Sequence, residues 1–105
     1  LLFPGLSKVQ GTQVMYDEKK PDKDSKDFAQ ICLEEVTGQL NSRNRGLVEG
    51  DSIYIIRTSE VPVALIEVGF MTNQEELDLL RSEDYQKEAA LGIYHAILRA
   101  FEEGY

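Results

Sequence analysis

Glu67 is the residue whose setting most needs a chemical explanation. It interrupts Val61-Pro62-Val63-Ala64-Leu65-Ile66-Glu67-Val68-Gly69-Phe70, a long apolar run, two residues before a glycine. A carboxylate in such a run is paired, hydrogen-bonded or held protonated, because an isolated buried charge is costly. At a strand end of an α/β sheet it is placed for general acid–base work near neutral pH. A strand-end glutamate that reaches water or a structural arginine explains the same pattern. Arg45 and Arg57 are each able to clamp a carboxylate through two parallel N–H···O bonds. Either also reads as a surface arginine or as a partner for Glu67. His95 is the single histidine, which excludes a metal site built from two or three histidines of this chain. It lies about 200° around its expected helix from Ile93, so it is predicted to face solvent. Cys32 is the single cysteine, which excludes an internal disulfide. It falls in an apolar helical stripe and reads as a small core residue. No GxGxxG, P-loop, GxSxG or CxxC motif is present.

The elements that must position these residues follow from periodicity. Gly11-Thr12-Gln13-Val14-Met15-Tyr16 is a strand candidate with Val14 and Tyr16 on one face. Asp17 to Asp27 mixes five acids with four lysines and reads as a solvated loop. Phe28, Cys32, Val36 and Leu40 recur at i+4, which predicts a helix over 26–41 capped by Ser25 or Asp24. Asn41 to Gly46 reads as a polar break. Ile53 to Arg57 is the second strand candidate, with Tyr54, like Tyr16, as a packing residue. Val61 to Phe70 is the third, apolar on both faces like a central strand covered on both sides. Thr72-Asn73-Gln74-Glu75 has capping-box spacing and predicts a helix over 73–81. Ser82 starts a long helix to about residue 103. Its expected core stripe is Tyr85, Ala89, Ile93, Ile97 and Phe101, with Ala96 and Ala100 alongside. The order predicts an α/β sheet flanked by helices.

Composition bounds the function. The 105 residues suffice for one small domain. The net charge is −8, of which residues 60–105 carry −7. No basic patch survives that balance, which argues against a nucleic-acid or anionic-membrane surface. No apolar stretch approaches the roughly 20 residues of a membrane span. The opening Leu1-Leu2-Phe3-Pro4-Gly5-Leu6 has neither an initiator Met nor a signal-peptide pattern, and reads as a cut into a longer polypeptide.

Several of these segments resemble a known family. Asn44-Arg45-Gly46-Leu47, Ile53 to Thr58 and, above all, Val61 to Glu76 with its Glu67-Val68-Gly69-Phe70-Met71-Thr72-Asn73 block are similar to the C-terminal half of the zinc-dependent N-acetylmuramoyl-L-alanine amidases of the amidase-3 type. Gly11 to Tyr16 resembles the strand that follows that family's second zinc histidine, and the likeness runs over about residues 9–103. The resemblance implies a partial amidase-3-like α/β sheet of about three strands, flanked by helices and ending in a long C-terminal helix. It implies that Glu67 is the catalytic carboxylate, taking a proton from a zinc-bound water and returning one to the leaving L-alanine amine. The bond cleaved would be the amide between N-acetylmuramic acid and L-alanine in peptidoglycan, at an extracytoplasmic, cell-wall location. Arg45 matches a family arginine before glycine and is expected to bind substrate or to support the fold.

One departure from the family pattern is large. Its zinc ligands, two histidines and a glutamate, lie in N-terminal segments that this chain does not contain. His95 matches none of them. Residues 1–105 are therefore expected to be a single domain, the C-terminal part of an amidase-3-like catalytic domain without the metal-binding half. Zinc belongs to the parent family and none is expected for this chain alone, which is expected to be inactive by itself. The alternative is a non-catalytic descendant that binds or self-associates through an uncovered core or sheet edge, with Leu1-Leu2-Phe3 at the break.

Overall fold

Alternation in Thr12–Tyr16 builds the middle strand of the sheet. The computed structural model describes residues 8–22 and 24–105, so the opening Leu1–Leu6 lies outside the described residues. β1 (Thr12–Tyr16) buries Thr12, Val14 and Tyr16 on one face. β2 (Asn44–Glu49) pairs with it in parallel and β3 (Leu65–Glu67) antiparallel, in the order β2-β1-β3. α1 (Asp24–Leu40) covers the Val14/Tyr16 face. Ala29, Ile31, Cys32 and Leu33 complete that core with Ala96 and Ala100 of the C-terminal helix. The predicted α/β sheet of about three strands, flanked by helices and closed by a long C-terminal helix, is the fold observed.

Two strand assignments change. Ile53–Arg57 is not a strand: α2 spans Tyr54–Thr58, with only Ile56 buried. The β-branched run is overruled because one residue per helical turn suffices to anchor it. Tyr54 is consequently 73% exposed rather than packed. The second strand is instead Asn44–Glu49, which begins inside the predicted polar break Asn41–Gly46 and is fixed by backbone pairing to β1. The third strand is shorter than its apolar run, three residues, and stands at the outside of the described sheet rather than at its centre. Its residues are half-buried.

The starts of the last two helices were closely anticipated, whereas the expected caps of α1, Asp24 and Ser25, lie inside it and Asp22 Oδ1 accepts from the Ser25 N–H at 3.0 Å. α3 (Gln74–Arg81) is capped by Asn73, whose Oδ1 accepts from the Glu76 N–H at 3.1 Å. The cap thus sits one residue later than the predicted Thr72 box. α4 (Glu83–Glu102) is capped by Ser82, as expected. Its buried stripe is the expected one in part. Ala89, Ala96 and Ala100 face inward as expected and Tyr85 and Ile93 are half-buried, but Gly92 joins the buried side while Ile97 and Phe101 are 43% and 74% exposed. α1 and α4 approach too closely for large side chains. A Cβ on Gly92 would stand 3.1 Å from Val36 Cα and 3.2 Å from Gln39 Cβ. Arg99 then bridges the two helices, meeting Glu34 at 2.9 Å and Glu35 at 3.3 Å. The acidic–lysine run is also less solvated than expected. Asp17 is buried, Lys19 meets Asp51 at 2.6 Å, and the last residues of the run open α1.

Candidate active site

The pairing directions bring three segments to one end of the sheet. β2 runs with β1 and β3 against it, so the starts of β1 and β2 lie beside the end of β3. Gln10–Gln13, Arg43–Arg45 and Glu67–Phe70 meet there. Glu67 is half-buried and opposes Gln13 directly across the β1–β3 ladder. Directly opposed residues share a face. Val14 and Ile66, one step along, face the α1 core, so Gln13 and Glu67 project from the other face. The Gln13 amide Nε2 donates to Glu67 Oε2 at 3.1 Å. Glu67 is thus a hydrogen-bonded carboxylate on the face of the sheet opposite α1.

Arg45 joins this end of the sheet. Its side chain is exposed, its guanidinium lies 5.4 Å from the centroid of Phe70, and Nη1 donates to the Gln10 carbonyl at 3.4 Å. The ring holds the cation by its face while leaving donors for a ligand. Arg57 is elsewhere: it sits on α2 and donates to the Asp51 carbonyl at 2.9 Å. It does not partner Glu67.

A buried clamp fixes the loop that follows Glu67. Glu76 is 6% exposed, and its Oε1 accepts from the Gly11 N–H at 2.7 Å. This ties the first turn of α3 to the start of β1. Gly11 has φ +114°, and a Cβ there would lie 2.4 Å from the Arg43 carbonyl, so no other residue fits. Thr12 Oγ1 bonds Ser42 Oγ at 2.7 Å and donates to the Val68 carbonyl at 3.4 Å, joining β1 to the residue after Glu67. Burial, with the Glu76 charge second, pushes the Tyr85 hydroxyl above its ordinary value. Gln13, Asn73 and Glu76 were not singled out from the sequence. Asn73-x-x-Glu76 carries a legible cap spacing, and Gln13 lies off the Val14/Tyr16 face. That Gln13 meets Glu67 depends on strand register, which the sequence alone does not display.

The residues present do not fit a zinc site. Among the described residues no three His, Cys, Asp or Glu side chains converge. Cys32 lies in the core, where burial pushes its thiol up to about 11, far from the thiolate that metals bind. His95 is exposed on α4 beside Tyr94, facing solvent as predicted.

Comparison with known proteins places the chain. The family described as N-acetylmuramoyl-L-alanine amidase is matched over residues 4–99. The germination-specific N-acetylmuramoyl-L-alanine amidase of Bacillus subtilis (strain 168) is 34% identical over 96 residues, 91% of this chain and 40% of that protein. The crystal structure of N-acetylmuramoyl-L-alanine amidase from Clostridium difficile 630 superposes with a TM-score of 0.87 at 28% identity, over 94% of this chain and 52% of that one. The CwlD amidase of Clostridioides difficile, solved in complex with the GerS lipoprotein, gives 0.84 at 34% identity, over 91% of this chain and 48% of that one. The chain spans about half the length of these structures. None of its described helices is long and apolar enough to cross a membrane.

Proposed function

Because this chain belongs to the N-acetylmuramoyl-L-alanine amidase family, we propose that it is the C-terminal part of an extracytoplasmic cell-wall hydrolase with Glu67 as its general base. The substrate is peptidoglycan, and the bond is the amide between N-acetylmuramic acid and L-alanine. The observation that carries the reading is the half-buried Glu67 carboxylate, held through one oxygen on the face of the sheet opposite α1. Glu67 takes a proton from the attacking water as its oxygen adds to the lactyl carbonyl carbon. The C–N bond then breaks, and the same proton goes to the departing alanine nitrogen. The zinc of the family belongs with ligands on segments this chain does not contain, so the chain by itself is inactive. Arg45, exposed at the same end of the sheet, contacts a carboxylate of the substrate peptide.

The test restores what is missing. The chain is joined to the metal-binding half of a related amidase, and Glu67 is changed to Gln. Zinc content should be unchanged, and amide hydrolysis should fall by about 10²–10⁴, the contribution of a positioned base. Activity close to the unmodified enzyme would remove Glu67 from the mechanism. In the same background Arg45→Ala should raise KM with little change in kcat. Elemental analysis of the 105-residue chain itself, dialysed against zinc, should show a stoichiometry near zero; one tightly held zinc per chain would refute the incomplete site.

A second reading, a non-catalytic self-associating module, has one observation in its favour. Tyr94, Ile97, Leu98 and Phe101 leave the outer side of α4 apolar and 43–74% exposed. A purely monomeric chain in sedimentation at high concentration would remove it.

A further inference from the structure

Gln13 is the side chain that the described fold brings to Glu67. The arginines do not reach it: Arg45 lies over Phe70 and bonds the Gln10 carbonyl, and Arg57 bonds the Asp51 carbonyl. The Gln13 amide donates to Oε2 at 3.1 Å, and no hydrogen bond among the described residues engages Oε1. The two groups are held in this relation by their backbones, as opposed partners in the β1–β3 ladder. Both ends of the pair are fixed further, by Thr12 Oγ1 to the Val68 carbonyl and by the Gly11 N–H to Glu76.

The chemistry of an amide suits this place. A lysine or arginine opposite Glu67 would hold the carboxylate more strongly, but its charge would make it a poorer base. A glutamine does not ionise. It donates one N–H at every pH and adds no charge. We propose that Gln13 is a positioning residue for Glu67: it ties down Oε2, sets the plane of the carboxylate, and leaves Oε1 to receive the proton. This rests on the reading of Glu67 as the base.

Two measurements test it. The first needs only the 105-residue chain. With glutamate carboxyl carbons labelled, NMR follows the Glu67 carboxylate at pH 7 in the parent and in Gln13→Met, which keeps the length and loses the donor. The Glu67 carboxyl resonance should shift as its hydrogen bond from the amide is lost. Gln13→Glu should shift it as well, by placing a second carboxylate opposite. The Glu34 resonance should not move in either. If Gln13→Met does not fold, Gln13→Glu carries the test. A Glu67 resonance unmoved in a folded variant overturns the proposal.

The second measurement uses the chain joined to a metal-binding half. Gln13→Met should lower kcat roughly tenfold, leave KM and zinc content unchanged, and shift the acid limb of the pH profile upward. A merely structural role would not move that limb. If Glu67→Gln is inactive while Gln13→Met matches the parent, the positioning proposal fails and the base reading stands. If Glu67→Gln stays active, the base reading fails on its own.

Discussion

Replacing Glu76 with leucine removes the clamp between α3 and β1, and its cost follows from the site. The carboxylate is 6% exposed and accepts a 2.7 Å bond from Gly11, whose N–H is buried and has no room to turn elsewhere. Leaving that donor unsatisfied costs about 1–3 kcal/mol. Glu76 also stands in the first turn of α3, where a negative charge contributes about 0.3–1 kcal/mol. Leucine recovers part of this by burying apolar surface. Glu76→Leu should therefore destabilise the chain by about 2–3 kcal/mol, which lowers Tm by roughly 10–15 °C in a domain of this size. Glu76→Gln keeps a carbonyl acceptor and loses the charge, so it should cost about 1 kcal/mol. Urea unfolding followed by helical circular dichroism measures both, and amide exchange at Gly11 should accelerate selectively in the leucine variant. A leucine variant within about 0.5 kcal/mol of the parent, well below the unsatisfied-donor cost, would refute the reasoning. So would a glutamine variant as damaged as the leucine one.

Other outcomes follow from the same structure. Gly92→Val should destabilise by about 1–3 kcal/mol through overpacking against Val36 and Gln39, although valine is the better helix former. Ala90→Val, on the exposed side of the same turn, should cost only about 0.5 kcal/mol; equal losses at both positions would contradict the close α1–α4 approach. The bond from Gln30, then Arg99, holds the Glu34 carboxyl below its ordinary 4.5. A depressed carboxyl stabilises the fold above its unfolded value and loses that contribution as pH falls through the folded one. Glu34 is exposed, so the advantage of the parent over Glu34→Gln should be under about 1 kcal/mol at pH 7 and should shrink below pH 4.5. An advantage that grew on acidification would be the wrong sign. Cys32, with its thiol pushed up to about 11 by burial, should resist a thiol reagent at pH 8 and react once the chain is unfolded. Ready reaction in the folded state would place it outside the core.

By itself, the sequence determined whatever depends on local chemistry and short-range period. β1 with Val14 and Tyr16 inward, α1 with Cys32 in its stripe, and the Ser82 start of α4 are all set by neighbours within a few residues. Glu67 was marked by its type alone, a carboxylate in an apolar run, and the block around it carried the family. Tertiary structure decided whatever depends on what an element meets. The second strand fell at Asn44–Glu49 and Ile53–Arg57 coiled into α2 because a backbone ladder to β1 outweighs the β-propensity of a short run. On α4 the expected Ala89, Ala96 and Ala100 do face inward, but Gly92 joins them in place of Ile97 and Phe101, because α1 lies too close for large side chains. The partner of Glu67 proved to be Gln13 and not an arginine, since register across a sheet is a relation between distant segments. No local pattern encodes such a relation, and only the assembled fold brings the two residues face to face.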